Sequence, residues 1–336
     1  MPRESPSGSR LDARVNRCRV RTDWALMDVI DRLARPHRQD DVANMIGGSR
    51  STVSESGIII GKLLYKKYVI GSNKIANWKG HFSRCVQPSC SCAIFQFTSI
   101  CHCMEVIAFY PPARFAEQYR LWGAPYDTLV GMIDGHVQRV CRPGGEGCVN
   151  ENVNQRVVYN GNHKHHALSY QCIAFPNGIF IMGGPWAGTI HDSNALGLSG
   201  VLEDLAQIQE ETGIFYKLYG DAAYPNHEHV VHAFENLGPD VPNLYARRRH
   251  NDLMSKFRVV VEQLFADVDN EFAALTFKNA QRLGSCAVGM NFMLAAWFFN
   301  IRTFFYGNMV SAMDGNNMLM ELSLREYLSV SQSHAQ

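Results

Sequence analysis

Residues 129–135 read LVGMIDG, a short apolar run that ends in an acidic residue and a glycine. An apolar run of this length, bounded by a turn signal, is typical of a buried strand. A second apolar run, residues 215–219, ends in the same way at Gly220 and Asp221. Side chains at the ends of strands in an α/β sheet converge on one edge of that sheet. We therefore expect Asp134 and Asp221 to lie near each other.

The segments around these two runs favour an α/β fold with a mixed sheet. Residues 176–178 read PNG between two apolar runs, which predicts a β-hairpin. Strands that alternate with helices indicate the α/β class. Residues 142–165, rich in Gly, Asn and His, are expected to form a long loop. Helices are expected over 191–211, 228–236, 251–272 and 284–306.

Charge is distributed unevenly along the 336 residues, although the formal net charge is only +1. Residues 1–80 contain 15 Lys and Arg against 8 Asp and Glu, whereas residues 81–336 contain 17 against 23. A basic front on an acidic body favours an anionic partner at one end, and the alternative is a solubilising tail. No apolar run is long enough to span a membrane, and the N-terminus lacks the apolar stretch of a signal peptide.

The basic front has the pattern of a helix-turn-helix. Apolar periodicity predicts helices over 24–33, 39–46 and about 49–68, with a break at 47–48 where two glycines stand. A small residue, a turn glycine and an apolar anchor are typical of this DNA-binding motif, and the alternative is an ordinary helical bundle. The residues of the third helix expected to face DNA are Arg50, Ser51, Thr52 and Ser54.

Five cysteines crowd into residues 81–110 with the spacing C-x4-C-x-C-x8-C-x-C. The paired spacings of zinc sites do not match this pattern cleanly. The alternatives are an irregular thiol-rich segment, a zinc site, or translated intron sequence.

A third acidic residue, Glu262, belongs to a polar stripe on the predicted helix 251–272. Asn251, Ser255 and Arg258 precede it at intervals that place all four residues on one helical face. Such a stripe is typical of a helix that points polar groups into a site. The alternative is a solvated face with one Arg258–Glu262 pair.

Five motifs in a fixed order resemble the DDE endonuclease domain of PIF/Harbinger transposases and of their domesticated relatives. The resemblance covers about residues 120–300. Two positions depart from the family pattern: His136 stands where Thr is frequent, and Ala222-Ala223 where Ser-Gly is frequent. The motifs are Ile133-Asp134-Gly135, His166-Ala167-Leu168, Pro185 with His191-Asp192-Ser193, Gly220-Asp221-x-x-Tyr224-Pro225, and Asn251 with Ser255-x-x-Arg258-x-x-x-Glu262.

The resemblance implies an RNase H-like mixed sheet flanked by helices, preceded by a small all-α helix-turn-helix domain. Carried over to this chain, Asp134, Asp221 and Glu262 become the catalytic triad and hold Mg²⁺ or Mn²⁺ in a two-metal site. Asp192 has an accessory role or caps the helix that follows it. Arg258 orients Glu262 or contacts phosphate.

The implied substrate is DNA, at the ends of a mobile element and at its target. Lys164 and the run Arg247, Arg248 and Arg249 are candidate contacts to the DNA backbone, and the alternative is plain surface charge. The resemblance also implies a Myb-like partner protein, and we expect a homo-oligomer without a membrane. The expected location is the nucleus, or the cytoplasm without that partner.

Two other functions stay open at this stage. One is a domesticated or decayed copy that binds DNA or protein without catalysis. The other is an RNase H-like enzyme acting on RNA, which the helix-turn-helix pattern disfavours. The expected organisation is a flexible basic arm (1–21), a helix-turn-helix domain (22–80), an irregular Cys-rich connector (81–119), an endonuclease domain (120–310) and a C-terminal tail (311–336).

Overall fold

A mixed sheet of six strands, flanked by helices, forms the centre of the computed structural model. The prediction of an α/β fold with a mixed sheet is confirmed. None of the helices described is long and apolar enough to cross a membrane. The structure describes residues 13–15, 18–20, 22–35, 41, 43–44, 49–66, 112–143, 155–235, 237–238, 241–276, 278–283 and 286–313.

The described elements follow one another along the chain as eight strands and nine α-helices. The strands are β1 (Ala13–Val15), β2 (Cys18–Val20), β3 (Leu129–Arg139), β4 (Tyr159–Asn160), β5 (His165–Ala174), β6 (Phe180–Ala187), β7 (Lys217–Gly220) and β8 (Val230–His232). The helices are α1 (Thr22–Ala34), α2 (Arg50–Leu64), α3 (Pro112–Leu121), α4 (Gln155–Val158), α5 (Asp192–Ser199), α6 (Val201–Thr212), α7 (Leu244–Glu271), α8 (Val288–Tyr306) and α9 (Met309–Met313).

The sheet has the order β6–β5–β3–β7–β8, and β4 pairs with the first residues of β5. β3, β5 and β6 are antiparallel, whereas β7 pairs parallel to β3 and β8 parallel to β7. The predicted hairpin is confirmed: Phe175 and Ile179 close the turn with a backbone hydrogen bond of 3.0 Å. Asn177 fixes the turn further by accepting a hydrogen bond from the Ile179 amide.

β3 is longer than the sequence predicted. It does not end at Asp134, because β5 pairs with it as far as Arg139. Its other neighbour, β7, stops at Gly220, with Met132 opposite Tyr219. Asp134 therefore lies inside a strand, level with the point where the chain leaves β7.

Two predicted helices are wrong in extent or type. The segment predicted as a helix over 228–236 contains β8, since Val230 and Val231 pair with β7. β-Branched residues fit such a pleated, half-buried position. The helix predicted over 191–211 is interrupted at Gly200, which adopts a φ of 77° and separates α5 from α6.

The long helix α7 begins seven residues before the predicted start and therefore includes the three consecutive arginines 247–249, which precede the predicted helix. Its apolar side, with Val260, Val261 and Leu264, is buried against the sheet. α8 is buried over most of its circumference, as its nearly uninterrupted apolar sequence predicted. Burial of each large apolar side chain contributes about 1.5–3 kcal/mol.

The N-terminal helices share the same hydrophobic core. Ala25, Val29 and Leu33 of α1 and Ile60 of α2 belong to the buried cluster that includes the sheet. At Gly61, a Cβ would lie 3.4 Å from Met290 Cε of α8, so α2 and α8 approach closely. The expected second helix, 39–46, lies largely outside the described residues, and the helix-turn-helix stays a prediction.

Other expected segments are described only in part. β1 and β2 pair antiparallel within the segment 1–21, where we expected a flexible arm. The Cys-rich residues 81–110 lie outside the described residues. Residues 112–119 differ from the irregular connector expected there, because they form most of α3, whose Phe115 stacks on Phe175 at 4.7 Å.

Candidate active site

Three aspartates gather where β3 passes the end of β7, and we call Asp134, Asp192 and Asp221 the acidic edge. Asp134 projects from β3, Asp221 follows β7 directly, and Asp192 is the first residue of α5. Each of Asp134 and Asp192 experiences a pKa-raising repulsion from Asp221. The expectation that Asp134 and Asp221 lie near each other agrees with this coupling.

Asp134 is the most strongly perturbed carboxyl of the acidic edge. Burial raises its pKa to about 6, and the nearby Arg258 charge and a hydrogen bond from the Gly135 amide oppose this increase. That hydrogen bond, from Gly135 N to Asp134 Oδ1, is 2.9 Å long. A carboxyl with a raised pKa in a partly exposed position is typical of a functional site.

Asp192 reaches β3 at Gly135. A Cβ placed on Gly135 would lie only 2.8 Å from Cγ of Asp192, so this position accepts no side chain without displacing the carboxyl. Burial and the Asp221 charge raise the pKa of Asp192, while His191 and His163 lower it. Because successive side chains of a strand point to opposite faces, Asp192 approaches β3 from the face opposite Asp134.

Asp221 is held by the tight turn that follows β7. The Ala223 amide donates to Asp221 Oδ1 at 2.9 Å, and the Tyr224 amide donates to the Asp221 carbonyl oxygen at 3.2 Å. The Tyr224 ring covers Gly220, where a Cβ would lie 2.6 Å from Tyr224 Cδ2. The motif Gly-Asp-x-x-Tyr thus has a local structural reason, since the glycine makes room for the ring that packs under the aspartate.

Arg258 faces the acidic edge from α7 and pairs with Glu262 of the same helix. Arg258 Nη2 lies 3.0 Å from Glu262 Oε1, and Arg258 Nη1 lies 3.9 Å from Asp221 Oδ2. Asn251, the first residue of the predicted polar stripe, hydrogen-bonds to the backbone of Phe234: its side chain accepts from the Phe234 amide and donates to the Phe234 carbonyl, both at 2.9 Å. Ser255 donates to the Asp252 carbonyl oxygen in its own helix.

Sequence reasoning assigned no role to Gln171, which lies beside this site. Gln171 is opposite Gly135 in the β3–β5 pair and is fully buried. Its Nε2 donates to the Tyr224 hydroxyl at 3.4 Å, and its Oε1 has no hydrogen-bond partner among the described residues. The sequence itself singles out this residue, because residues 168–175 (LSYQCIAF) contain one amide side chain among mostly apolar side chains.

His136, which departs from the family pattern, is accommodated by packing against aromatic side chains. His136 lies between two phenylalanine rings, with centroid distances of 4.4 Å to Phe265 and 4.8 Å to Phe292. Tyr170 packs against Phe292 in a tilted arrangement, with a centroid distance of 4.5 Å. We call these four residues the aromatic layer. Burial lowers the pKa of His136 to about 4, so this imidazole is neutral at physiological pH.

The candidate DNA-contacting side chains near the sheet differ in whether they already interact with other residues of the chain. Lys164 is exposed in the β4–β5 turn, with a φ of 58°. Arg247 lies over the Phe234 ring at 5.2 Å, and Arg248 donates to the Leu237 carbonyl oxygen at 3.2 Å. Arg249 is exposed on α7. Lys164 and Arg249 therefore present their charges to solvent, whereas Arg247 and Arg248 are partly used within the chain.

The candidate contacts of the basic front lie at the start of α2. Arg50 and Thr52 belong to this helix. Ser51 is exposed, with its hydroxyl 2.9 Å from that of Ser49, and Ser54 is half-buried. Whether they touch DNA stays a prediction.

The donor set of the site suits a hard divalent cation, since Mg²⁺ and Mn²⁺ prefer carboxylate oxygens. In the part of the chain that the structure describes, however, no group of three His, Cys, Asp or Glu side chains is arranged to hold a metal ion. Two reasons are visible: Asp192 approaches β3 from the face opposite Asp134, and Glu262 is paired with Arg258. The residues fit a metal in chemistry, and Glu262 must leave Arg258 to join Asp134 and Asp221.

Comparison with protein families matches residues 133–300, half of the chain, to the family described as DDE superfamily endonuclease. The matched stretch contains the acidic edge, Arg258 and Glu262. Comparisons with curated proteins and with solved structures give no match. On the extent of the family match, this chain belongs to the DDE superfamily endonucleases.

Proposed function

We propose that this protein is a divalent-metal-dependent DNA endonuclease of the Harbinger transposase type. It cleaves phosphodiester bonds at element ends and joins the freed 3′-OH to target DNA. The observation that carries the proposal is the gathering of Asp134 and Asp221 opposite Arg258 and Glu262. The order and directions of the strands support an RNase H-like fold for the domain.

In this proposal Asp134, Asp221 and Glu262 hold Mg²⁺ or Mn²⁺ in a two-metal site. Such ions, when bound, activate the attacking water and stabilise the leaving 3′ oxygen. The turn that follows β7 keeps Asp221 in place through the Ala223 amide. Asp192, held over Gly135, adds negative charge from the opposite face of β3 and is an accessory residue.

DNA is bound, in this proposal, by basic groups on two sides of the site. Lys164 and Arg249 contact backbone phosphates near the acidic edge, and Arg50, Ser51, Thr52 and Ser54 contact the groove from α2. The turn that carries Lys164 is close to the site, since His163 in the same turn lowers the pKa of Asp192. From the resemblance alone we also propose a nuclear location, a Myb-like partner protein and a homo-oligomer.

One observation favours a second candidate function, a domesticated or decayed copy that binds DNA or protein without catalysis. Glu262 is paired with Arg258, and no three acidic groups among the described residues share a metal-binding position. A copy in which this pairing is permanent would bind DNA and not cut it.

The test is nicking of supercoiled plasmid by the full chain in Mg²⁺ or Mn²⁺. Asp134→Asn and Asp221→Asn should each reduce the rate by about a thousandfold or more, because the reaction loses a carboxylate that holds the ion. Asp269→Asn is the matched control: this aspartate lies on α7 two turns beyond Glu262, and its variant should nick at the wild-type rate. Equal nicking by all four proteins would show a contaminating nuclease. No nicking, with plasmid binding retained, would favour the non-catalytic module.

A further inference from the structure

We infer that Arg258 is a built-in counter-ion of the acidic edge, which a divalent cation displaces from Glu262 and which then binds a phosphate of the DNA substrate. The inference rests on the proposed function. It assigns Arg258 as a positioning residue that links metal binding to DNA binding.

The geometry places one guanidinium between acids of two different elements. Its Nη2 is 3.0 Å from Glu262 Oε1 on α7, and its Nη1 is 3.9 Å from Asp221 Oδ2 after β7. Arg258 therefore counters the charge of Asp221 and Glu262, two of the three carboxylates that are proposed to bind metal.

The pairing is weak enough to be exchanged. The Arg258 side chain is 34% exposed and that of Glu262 is 53% exposed. Ion pairs in such positions are weak, because water screens them. A divalent cation carries twice the charge and prefers carboxylate oxygens, so it competes successfully for Glu262.

The displaced side chain has a natural second partner. A guanidinium presents five N–H donors in a planar fork that matches phosphate oxygens. When the metal takes the carboxylates and the phosphate takes Arg258, each event removes a competitor of the other. Metal and DNA should therefore tighten each other's binding, and by linkage the factor is the same in both directions.

The first experiment measures Mn²⁺ affinity without DNA and without catalysis, from the electron paramagnetic resonance signal of free Mn²⁺. Arg258→Gln should bind Mn²⁺ about fivefold more tightly than wild type, because the guanidinium that competes with the ion for Glu262 and Asp221 is removed. Arg258→Lys should give an intermediate affinity, since a single ammonium neutralises two carboxylates less well. Circular dichroism and thermal unfolding establish that each variant is folded.

Arg302→Gln is the matched control. Arg302 forms an interhelical ion pair with Glu271 at 3.2 Å, with similarly exposed side chains, away from the acidic edge. This variant should bind Mn²⁺ as wild type does. A change as large as that of Arg258→Gln would show a general charge effect and would overturn the inference.

The second experiment measures the affinity for linear duplex DNA with and without Ca²⁺, which occupies carboxylate sites. Ca²⁺ should tighten DNA binding more in wild type than in Arg258→Gln, because only wild type can move the guanidinium to phosphate. Folded Arg258→Gln that binds Mn²⁺ no more tightly than wild type, or an equal Ca²⁺ effect in both proteins, would overturn the inference and leave the proposed nuclease intact. Wild type that binds no Mn²⁺ would overturn the proposed metal dependence and the inference together.

Discussion

The acidic edge, together with Glu262 of α7, and the aromatic layer both contain residues of β3 and α7, yet they differ in charge and in burial. On β3, Asp134 and His136 lie two residues apart on one face of the strand. On α7, Glu262 is exposed while Phe265, three residues later, is buried. The acidic edge concentrates like charges that repel one another, whereas the aromatic layer packs rings at centroid distances of 4.4–4.8 Å. We conclude that the packed layer holds strand and helix in the position that the repelling acids by themselves would not maintain.

Phe292→Ala tests the layer and should have the largest effect on stability. Phe292 is fully buried and contacts both His136 and Tyr170, so truncation should lower the free energy of unfolding by about 3–5 kcal/mol. Urea denaturation measures this change. Phe305→Ala on the same helix is the control, since Phe305 is 65% exposed and its loss should cost less than about 0.5 kcal/mol. Equal losses in the two variants would contradict the supporting role of the layer.

Gly135→Ala tests whether the arrangement of the acidic edge matters, without removing a carboxyl group. The added methyl group displaces the Asp192 carboxyl, and we expect nicking to fall about 10–100-fold, as when an outer partner of a metal ligand is lost. The rate per folded molecule is measured with the plasmid assay. Gly197→Ala is the matched control, because a Cβ there contacts nothing within 4 Å. Normal nicking by Gly135→Ala would show that the position of Asp192 is irrelevant to the reaction.

Asp269→Asn should have the smallest effect of these substitutions, and its effect on stability should depend on pH. Burial raises the pKa of Asp269 to about 6, above its usual value of 3.8. The neutral acid is therefore favoured in the folded state, and stability falls as pH rises from about 4 through 6. The amide removes this cost, so at pH 8 the variant should gain about 1 kcal/mol, discounted for partial exposure, and at pH 3 it should gain nothing.

Thermal unfolding at the two pH values measures this difference. Asp252→Asn, an exposed aspartate of the same helix, is the control for the change in helix charge. A gain at pH 3 as large as that at pH 8 would mean that the amide stabilises the helix for another reason.

Local sequence patterns correctly predicted the elements that are determined by residues close together in the sequence. The turn residues 176–178 identified the hairpin, and the apolar run before Gly220 identified β7, because such turns and runs have few alternatives. Patterns failed where the partner is distant in sequence. The segment 228–236 has polar residues compatible with a helix, yet pairing with β7 makes Val230–His232 a strand. The three arginines at 247–249 gave no sign that α7 extends back to Leu244.

The sequence by itself determined which acids are the candidates for the site, since the residue types and their order along the chain carry the family resemblance. Only the tertiary structure decided how they are arranged. The pairing of β5 with β3 carries β3 past Asp134, the open position at Gly135 admits Asp192 from the opposite face, and α7 brings Arg258 between Asp221 and Glu262. The physical reason is that chemical identity is a property of single residues, whereas distance and charge compensation depend on contacts between segments far apart in the chain.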